Sequence, residues 1–69
     1  MRQWSGREFA RLLERHGWQL LRISGSHHIY GKTGSTVRLS VPIHGNRPLK
    51  IGLLRHLAKL AQISEEELG

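Results

Sequence analysis

The absence of cysteine from a chain of only 69 residues is the feature that most constrains its fold. Domains of this size often depend on disulfides or on a cysteine-ligated zinc ion for stability, and neither is available here. The chain must therefore be held together by its own apolar core or by surface that it buries against a partner. The hydrophobic fraction of 38% is enough for a two-layer domain. We predict a single domain over residues 1–69.

The charge of the chain indicates a polyanionic partner. Eleven Lys and Arg oppose five Glu, a formal net charge of +6, and three of the Glu are the consecutive residues 65–67. Without this triplet, eleven cations face two Glu, a formal +9. Eight of the cations are arginine, whose guanidinium group binds phosphate through two hydrogen bonds. This composition is typical of domains that bind nucleic acid.

The sequence has no feature of a membrane or secreted protein. No apolar run approaches the ~18 residues of a membrane span. The first five residues also lack the apolar stretch of a signal peptide. We therefore expect a cytoplasmic protein with no membrane association.

Residues 5–16 have the pattern of an amphipathic helix. Their apolar residues recur at helical spacing. Ser5 is a good N-cap, and Glu8 stands three residues later, as the capping-box partner requires. Gly17 is suited to end this helix because glycine tolerates a left-handed conformation.

A second helix is predicted near the C-terminus. Leucines recur at helical spacing over residues 49–62. Ser64 and Glu67 then form another capping-box pattern, which predicts one more short helical turn.

The segment between the two helices is predicted to form three antiparallel strands, over residues 18–24, 27–31 and 36–41. Gly25-Ser26 fits a two-residue type II′ hairpin loop, because glycine accepts its first position. The resulting order is α-β-β-β-α. It predicts an α+β fold with a three-stranded antiparallel sheet, two helices on one face and the other face open. Double-stranded-RNA-binding domains use this order.

The hairpin loop determines which residues share a face of the sheet. A two-residue loop pairs Ser24 with His27, and cross-strand partners share a face. One face is then predicted to carry Arg22, Ser24, His27 and Ile29. The opposite face is predicted to carry Leu21, Ile23, His28 and Tyr30. The second set is more apolar and is expected to face the helices, which places His27 on the open face beside Arg22.

A histidine beside an arginine suits the cleavage of RNA. Imidazole exchanges a proton near neutral pH, and arginine stabilises charge that develops on a phosphate. The residues alone leave open whether His27 is catalytic or only contacts phosphate, and whether His28 is purely structural. Two adjacent strand histidines point to opposite faces, so they do not readily share a metal ion. We predict no metal site and no cofactor.

Six segments carry a resemblance to a known family. They are SGRE (5–8), HGW (16–18), GSHHIY (25–30), VPIHGN (41–46), LKIGLLR (49–55) and ISEEE (63–67). In order and spacing they resemble the HicA family, small mRNA-cleaving toxins of toxin–antitoxin pairs. The resemblance extends over essentially the whole chain.

The resemblance implies a double-stranded-RNA-binding-domain-like fold and an mRNA endoribonuclease that depends on one histidine. The residues predict that the reaction is metal-independent, because histidine and arginine supply proton transfer and charge stabilisation without a metal ion. In the family this histidine usually follows Gly-Ser, which matches His27. Some members place it one residue later, so His28 is the second candidate. The implied partner is a HicB-type antitoxin that covers the active face and brings a DNA-binding domain, so contact with DNA is only indirect.

The expected RNA contacts come from basic and polar residues of the strands and loops. They are Arg22, Ser26, Lys32, Arg38, His44 and Lys50. The alternative to an enzyme is a non-catalytic basic module that uses the same surface to bind RNA without cleaving it.

Overall fold

Three antiparallel strands form an open sheet, with helices packed on one of its faces. The computed structural model describes residues 1–69, in the sheet order β1-β2-β3. The elements are α1 (Gly6–Arg15), β1 (Gln19–Ser24), β2 (His27–Gly31), β3 (Leu39–Pro42), α2 (Ile51–Leu60) and α3 (Glu65–Leu68). This confirms the predicted α+β fold and its double-stranded-RNA-binding-domain-like arrangement. The longest helices have ten residues, and none is long and apolar enough to cross a membrane.

The third strand is shorter than the sequence pattern predicts. It begins at Leu39 rather than at residue 36. The preceding backbone is held in a local turn, where the Val37 N–H bonds to Ser35 Oγ at 3.1 Å. Arg38 strengthens this turn by donating to the carbonyl oxygens of Ser35 and Val37. The strand predicted over residues 36–41 is therefore three residues too long at its N-terminal end.

The C-terminal helices differ from the prediction at their ends. α2 begins at Ile51, two residues later than expected, and α3 follows at the predicted place. Ser64 is the N-cap of α3, but its side chain makes no capping hydrogen bond. The prediction of a second capping box is therefore wrong, although the predicted helical turn is present.

The core joins both chain ends to the sheet. Trp4 and Trp18 are both buried and belong to this core. Trp4 Nε1 donates to the carbonyl oxygen of Leu68 at 2.8 Å and so ties α3 to the start of the chain. The fully buried large side chains are Phe9, Leu13, Leu39, Leu54, Leu68 and Val41.

The start of α1 has the predicted capping box. Ser5 Oγ accepts from the Glu8 N–H at 3.1 Å, and the Glu8 carboxylate accepts from the Ser5 N–H at 2.9 Å. The hydrogen bond from Ser5 holds the pKa of Glu8 below its usual 4.5, and the charge of Arg2 acts in the same direction. A lowered folded-state pKa stabilises the fold above the unfolded-state pKa. This contribution is lost as the pH falls from the usual 4.5 through the lowered folded-state pKa.

Ser5→Ala is expected to lower the free energy of unfolding by about 0.5–2 kcal/mol, because it leaves a helix N–H without its acceptor. For a domain of this size, each kcal/mol corresponds to a Tm decrease of roughly 4–8 °C. Ser64→Ala is the matched control, since that N-cap serine makes no capping bond. Equal Tm values for the two variants would show that the capping box contributes nothing.

Candidate active site

The hairpin between β1 and β2 places His27 on the open face. Gly25 has φ +60° and Ser26 does not have a positive φ, as expected for the predicted type II′ loop. Ser24 pairs with His27, and His27 pairs with Pro42 of β3. His27 therefore lies in the middle of a three-strand row next to the loop, and its side chain is exposed.

The next row of the open face supplies an arginine and a serine. Arg22 pairs with Ile29, and Ile29 pairs with Ser40. Arg22 is thus diagonal to His27 on the same face, as the register predicted. His27 Nδ1 and Ser40 Oγ share a hydrogen bond of 2.9 Å. This bond orients the imidazole and leaves Nε2 free for a ligand on the exposed side.

A β-bulge at Leu21 corrects one part of the predicted register. The pairing shifts between Leu20 and Arg22, so Leu21 is the extra residue. A Cβ built on Gly31 would meet Leu21 Cδ1 at 2.6 Å, which shows that Leu21 covers Gly31 on the open face. The prediction that Leu21 faces the helices is therefore wrong. The bulge places Leu21 and Arg22 on the same side.

His28 occupies a different environment from its neighbour. It pairs with Val41, which is fully buried, so it faces the helices. Its half-buried side chain lines a cleft of about 450 Å³ between α1 and β2, together with Arg11 and Glu14. Burial raises the pKa of Tyr30, which lines the same cleft, and the nearby Glu14 charge raises it further. The two candidate histidines therefore lie on opposite sides of the sheet.

His44 approaches the hairpin loop from the segment after β3. Its Nε2 lies 3.4 Å from Ser26 Oγ, and the Ile43 N–H donates to the Ser26 carbonyl oxygen at 2.8 Å. His44 also lines a pocket of about 270 Å³ with Arg47 and Lys50. Pro42, which pairs with His27, lines this pocket too, so the pocket adjoins the His27 row.

Two of the predicted RNA contacts lie at the far end of the sheet. Arg38 precedes β3 and stands beside Gly31, the last residue of β2. Lys32 follows Gly31 and lies 5.8 Å from the centre of the Trp18 ring. Gly31 is four residues from His27, or about 13 Å along a strand. These two cations extend the basic surface but do not contact the His27 cluster.

Two residues of the site were not predicted from the sequence. Ser40 bonds to His27, and Arg47 adds a third basic side chain to the pocket beside His44 and Lys50. Only the pairing of β2 with β3 brings Ser40 to the imidazole. The structure has no group of three His, Asp or Glu side chains positioned to hold a metal ion.

The fold and the site together define a class of protein, a small basic α+β domain whose open sheet face carries an oriented histidine. The family model described as "HicA toxin of bacterial toxin-antitoxin" matches residues 6–63 of the chain. The chain therefore belongs to the HicA toxin family, and it is the toxin of a toxin–antitoxin system. No curated protein sequence matches the chain closely enough to be taken as a relative.

Proposed function

We propose that this toxin is a metal-independent endoribonuclease that cleaves mRNA, with His27 as its acid–base residue. The observation that carries the proposal is the hydrogen bond between His27 Nδ1 and Ser40 Oγ, on an exposed face that also holds Arg22. An oriented imidazole beside a guanidinium group supplies proton transfer and charge stabilisation without a metal ion. An mRNA substrate also favours action in the cytoplasm.

The reaction that fits these groups is an internal transesterification of RNA. His27 Nε2 accepts the proton of a ribose 2′-hydroxyl, and the 2′-oxygen attacks the adjacent phosphorus. The bond from phosphorus to the 5′-oxygen breaks, and this oxygen leaves with a proton from water or imidazolium. The products are a 2′,3′-cyclic phosphate and a 5′-hydroxyl. Arg22 stabilises the negative charge on the phosphate in the transition state.

The surface next to His27 is suited to holding the RNA strand. The pocket lined by His44, Arg47 and Lys50 presents three basic side chains and no carboxylate. Ser26 adds a hydroxyl next to His27, and Arg38 and Lys32 extend the positive charge to the other end of the sheet. We assign phosphate binding to these residues, since phosphate contacts supply most of the affinity of such surfaces.

The second candidate for the catalytic residue is His28. Its cleft contains two arginines and Glu14, so proton transfer and phosphate binding are chemically available there as well. We favour His27 because its imidazole is exposed and oriented by Ser40, whereas His28 makes no side-chain hydrogen bond. Separate alanine variants distinguish the two histidines.

The proposed partner is a HicB-type antitoxin that covers the open face and carries the DNA-binding function. Two observations support a protein partner at the β1 edge of the sheet, where Leu21 lies on the open face. Strand β1 is a free edge of the sheet, and its Leu20, Leu21 and Ile23 are 43%, 51% and 56% exposed. Exposed apolar side chains on a free edge are typical of interaction surfaces. The basic charge favours an acidic partner.

The purified chain is expected to cleave single-stranded RNA in the presence of EDTA and to leave 2′,3′-cyclic phosphate ends. The measurement is gel analysis of a labelled oligonucleotide, with mass spectrometry of the products. RNA that is bound in a salt-dependent manner but stays intact would favour the alternative, a non-catalytic RNA-binding module. Cleavage that EDTA stops would contradict the metal-independent mechanism.

A further inference from the structure

Two arginines of α1 form a basic site on the helix side, away from the His27 cluster. Arg7 and Arg11 are one helical turn apart, and both line two adjoining clefts of about 390 and 450 Å³. Neither guanidinium group takes part in an ion pair. Like charges at this spacing slightly destabilise a helix, and an anion bound between them would offset this repulsion.

No carboxylate forms an ion pair with either of these arginines. Glu8 is occupied by the capping box, and its ion pair is with Arg2 at 3.5 Å. Glu14 lines the larger cleft but lies in no ion pair. The half-buried imidazole of His28 also faces this cleft and has no hydrogen-bond partner, so it is available as a further donor.

The loop after β3 connects this site to the candidate active site. Its residue His44 lines the pocket beside the His27 row, whereas Gly45 and Asn46 line the clefts of Arg7 and Arg11. A nucleic-acid strand that leaves the pocket and crosses this loop therefore reaches the two arginines directly. The loop itself carries no acidic residue that would repel it.

We propose that Arg7 and Arg11, together with His28, bind a backbone phosphate of the RNA as the strand passes over this loop to the helix side. The identification of the ligand as RNA rests on the proposed function. The presence of an anion site rests only on the clefts that Arg7 and Arg11 line. The paired N–H groups of an arginine guanidinium match a phosphate group in geometry and charge. The site lengthens the RNA path beyond the open face and adds affinity without taking part in the proton transfers.

The test compares two double variants that each remove two positive charges from helices. R7Q/R11Q removes the proposed site, and R15Q/K59Q removes two exposed cations outside both clefts. Binding of a single-stranded oligonucleotide is measured across a salt series, with His27→Ala in every chain to prevent cleavage. We expect R7Q/R11Q to lose about tenfold in affinity and about 0.7 in the salt slope for each lost phosphate contact. The control is expected to lose less than about threefold.

A second measurement separates the anion site from the identity of the RNA. Inorganic phosphate is titrated into the chain while the NMR signals of the His28 ring are followed. We expect a saturable shift that R7Q/R11Q abolishes. A phosphate response in a chain that binds no RNA would support the site while the proposed function fails.

Equal RNA affinities for the two double variants would overturn the proposal. Loss of antitoxin binding by R7Q/R11Q with unchanged RNA binding would also overturn it, because the arginines would then belong to a protein interface. Thermal unfolding of both double variants confirms that they remain folded. Removal of a like-charge pair is not expected to lower the Tm.

Discussion

Replacement of His27 by alanine is expected to lower the rate of RNA cleavage by about 10²–10⁴-fold, the usual contribution of a general acid–base residue. The same variant is expected to bind RNA with nearly wild-type affinity, because the cations around it remain. In cells that lack the antitoxin, wild type should arrest growth and fragment mRNA, whereas His27→Ala should do neither. Cleavage assays, binding isotherms and growth curves measure these three effects.

His28→Ala is the comparison that tests the choice of histidine. It removes an imidazole of the same kind from the neighbouring position, but on the opposite side of the sheet. If His28→Ala loses cleavage and His27→Ala keeps it, the active site lies in the cleft of α1 and the assignment to His27 is wrong. Loss in neither variant would contradict a histidine mechanism altogether.

Ser40 tests whether the orientation of His27 matters. Ser40→Ala removes the partner of Nδ1 and is expected to lower kcat more than KM and to shift the pH–rate profile. Ser24→Ala is the matched control, since Ser24 pairs with His27 across the hairpin but makes no side-chain hydrogen bond. Identical profiles for the two variants would remove Ser40 from the site.

Gly6→Ala is expected to destabilise the fold by about 1–3 kcal/mol, the usual effect of overpacking. Gly6 is buried at the start of α1, and an added Cβ would overlap the carbonyl oxygen of Pro42 and press on Ile43 Cγ1 at 3.0 Å. Because Pro42 pairs with His27, the displacement also disturbs the candidate site. We expect a Tm decrease of roughly 4–24 °C, together with weaker RNA cleavage at temperatures where the chain is folded.

Gly52→Ala provides the control for this substitution. Gly52 lies in α2, and an added Cβ there meets no atom within 4 Å. Alanine is a better helix former than glycine, so this variant should be more stable than wild type by about 0.5–1 kcal/mol. If Gly6→Ala were as stable as Gly52→Ala, the close approach of α1 to the end of β3 would not be a real constraint.

Local patterns in the sequence were sufficient where neighbouring residues decide the structure. The capping box of Ser5 and Glu8, the left-handed Gly17 and the hairpin loop at Gly25 were all confirmed. Each depends on hydrogen bonds or backbone torsions within a few residues. The loop also set the register that places His27 opposite Ser24, which is why one side of the site was predictable.

Patterns failed where contacts distant in sequence decide the structure. Alternation of apolar and polar residues does not reveal a bulge, so Leu21 was placed on the wrong face. The early start predicted for β3 failed for a local reason, because the contacts of Ser35 and Arg38 hold residues 35–38 in a turn. The predicted capping bond of Ser64 is absent, and nothing in the structure explains its absence. A side chain that fits a sequence pattern can form a different contact in the folded protein. The packing of the fold determines which groups lie within its reach.

The sequence by itself determined the α-β-β-β-α order, the family and the histidine next to the hairpin loop. Apolar periodicity and turn residues act over short distances along the chain, so one sequence is enough to show them. Only the tertiary structure decided which groups surround each histidine. The pairing of β2 with β3 brings Ser40 to His27, and the packing of α1 against the sheet puts His28 beside Arg7 and Arg11. Hydrogen bonds and charge interactions act over a few ångströms, so they become defined only when the core has brought distant segments together.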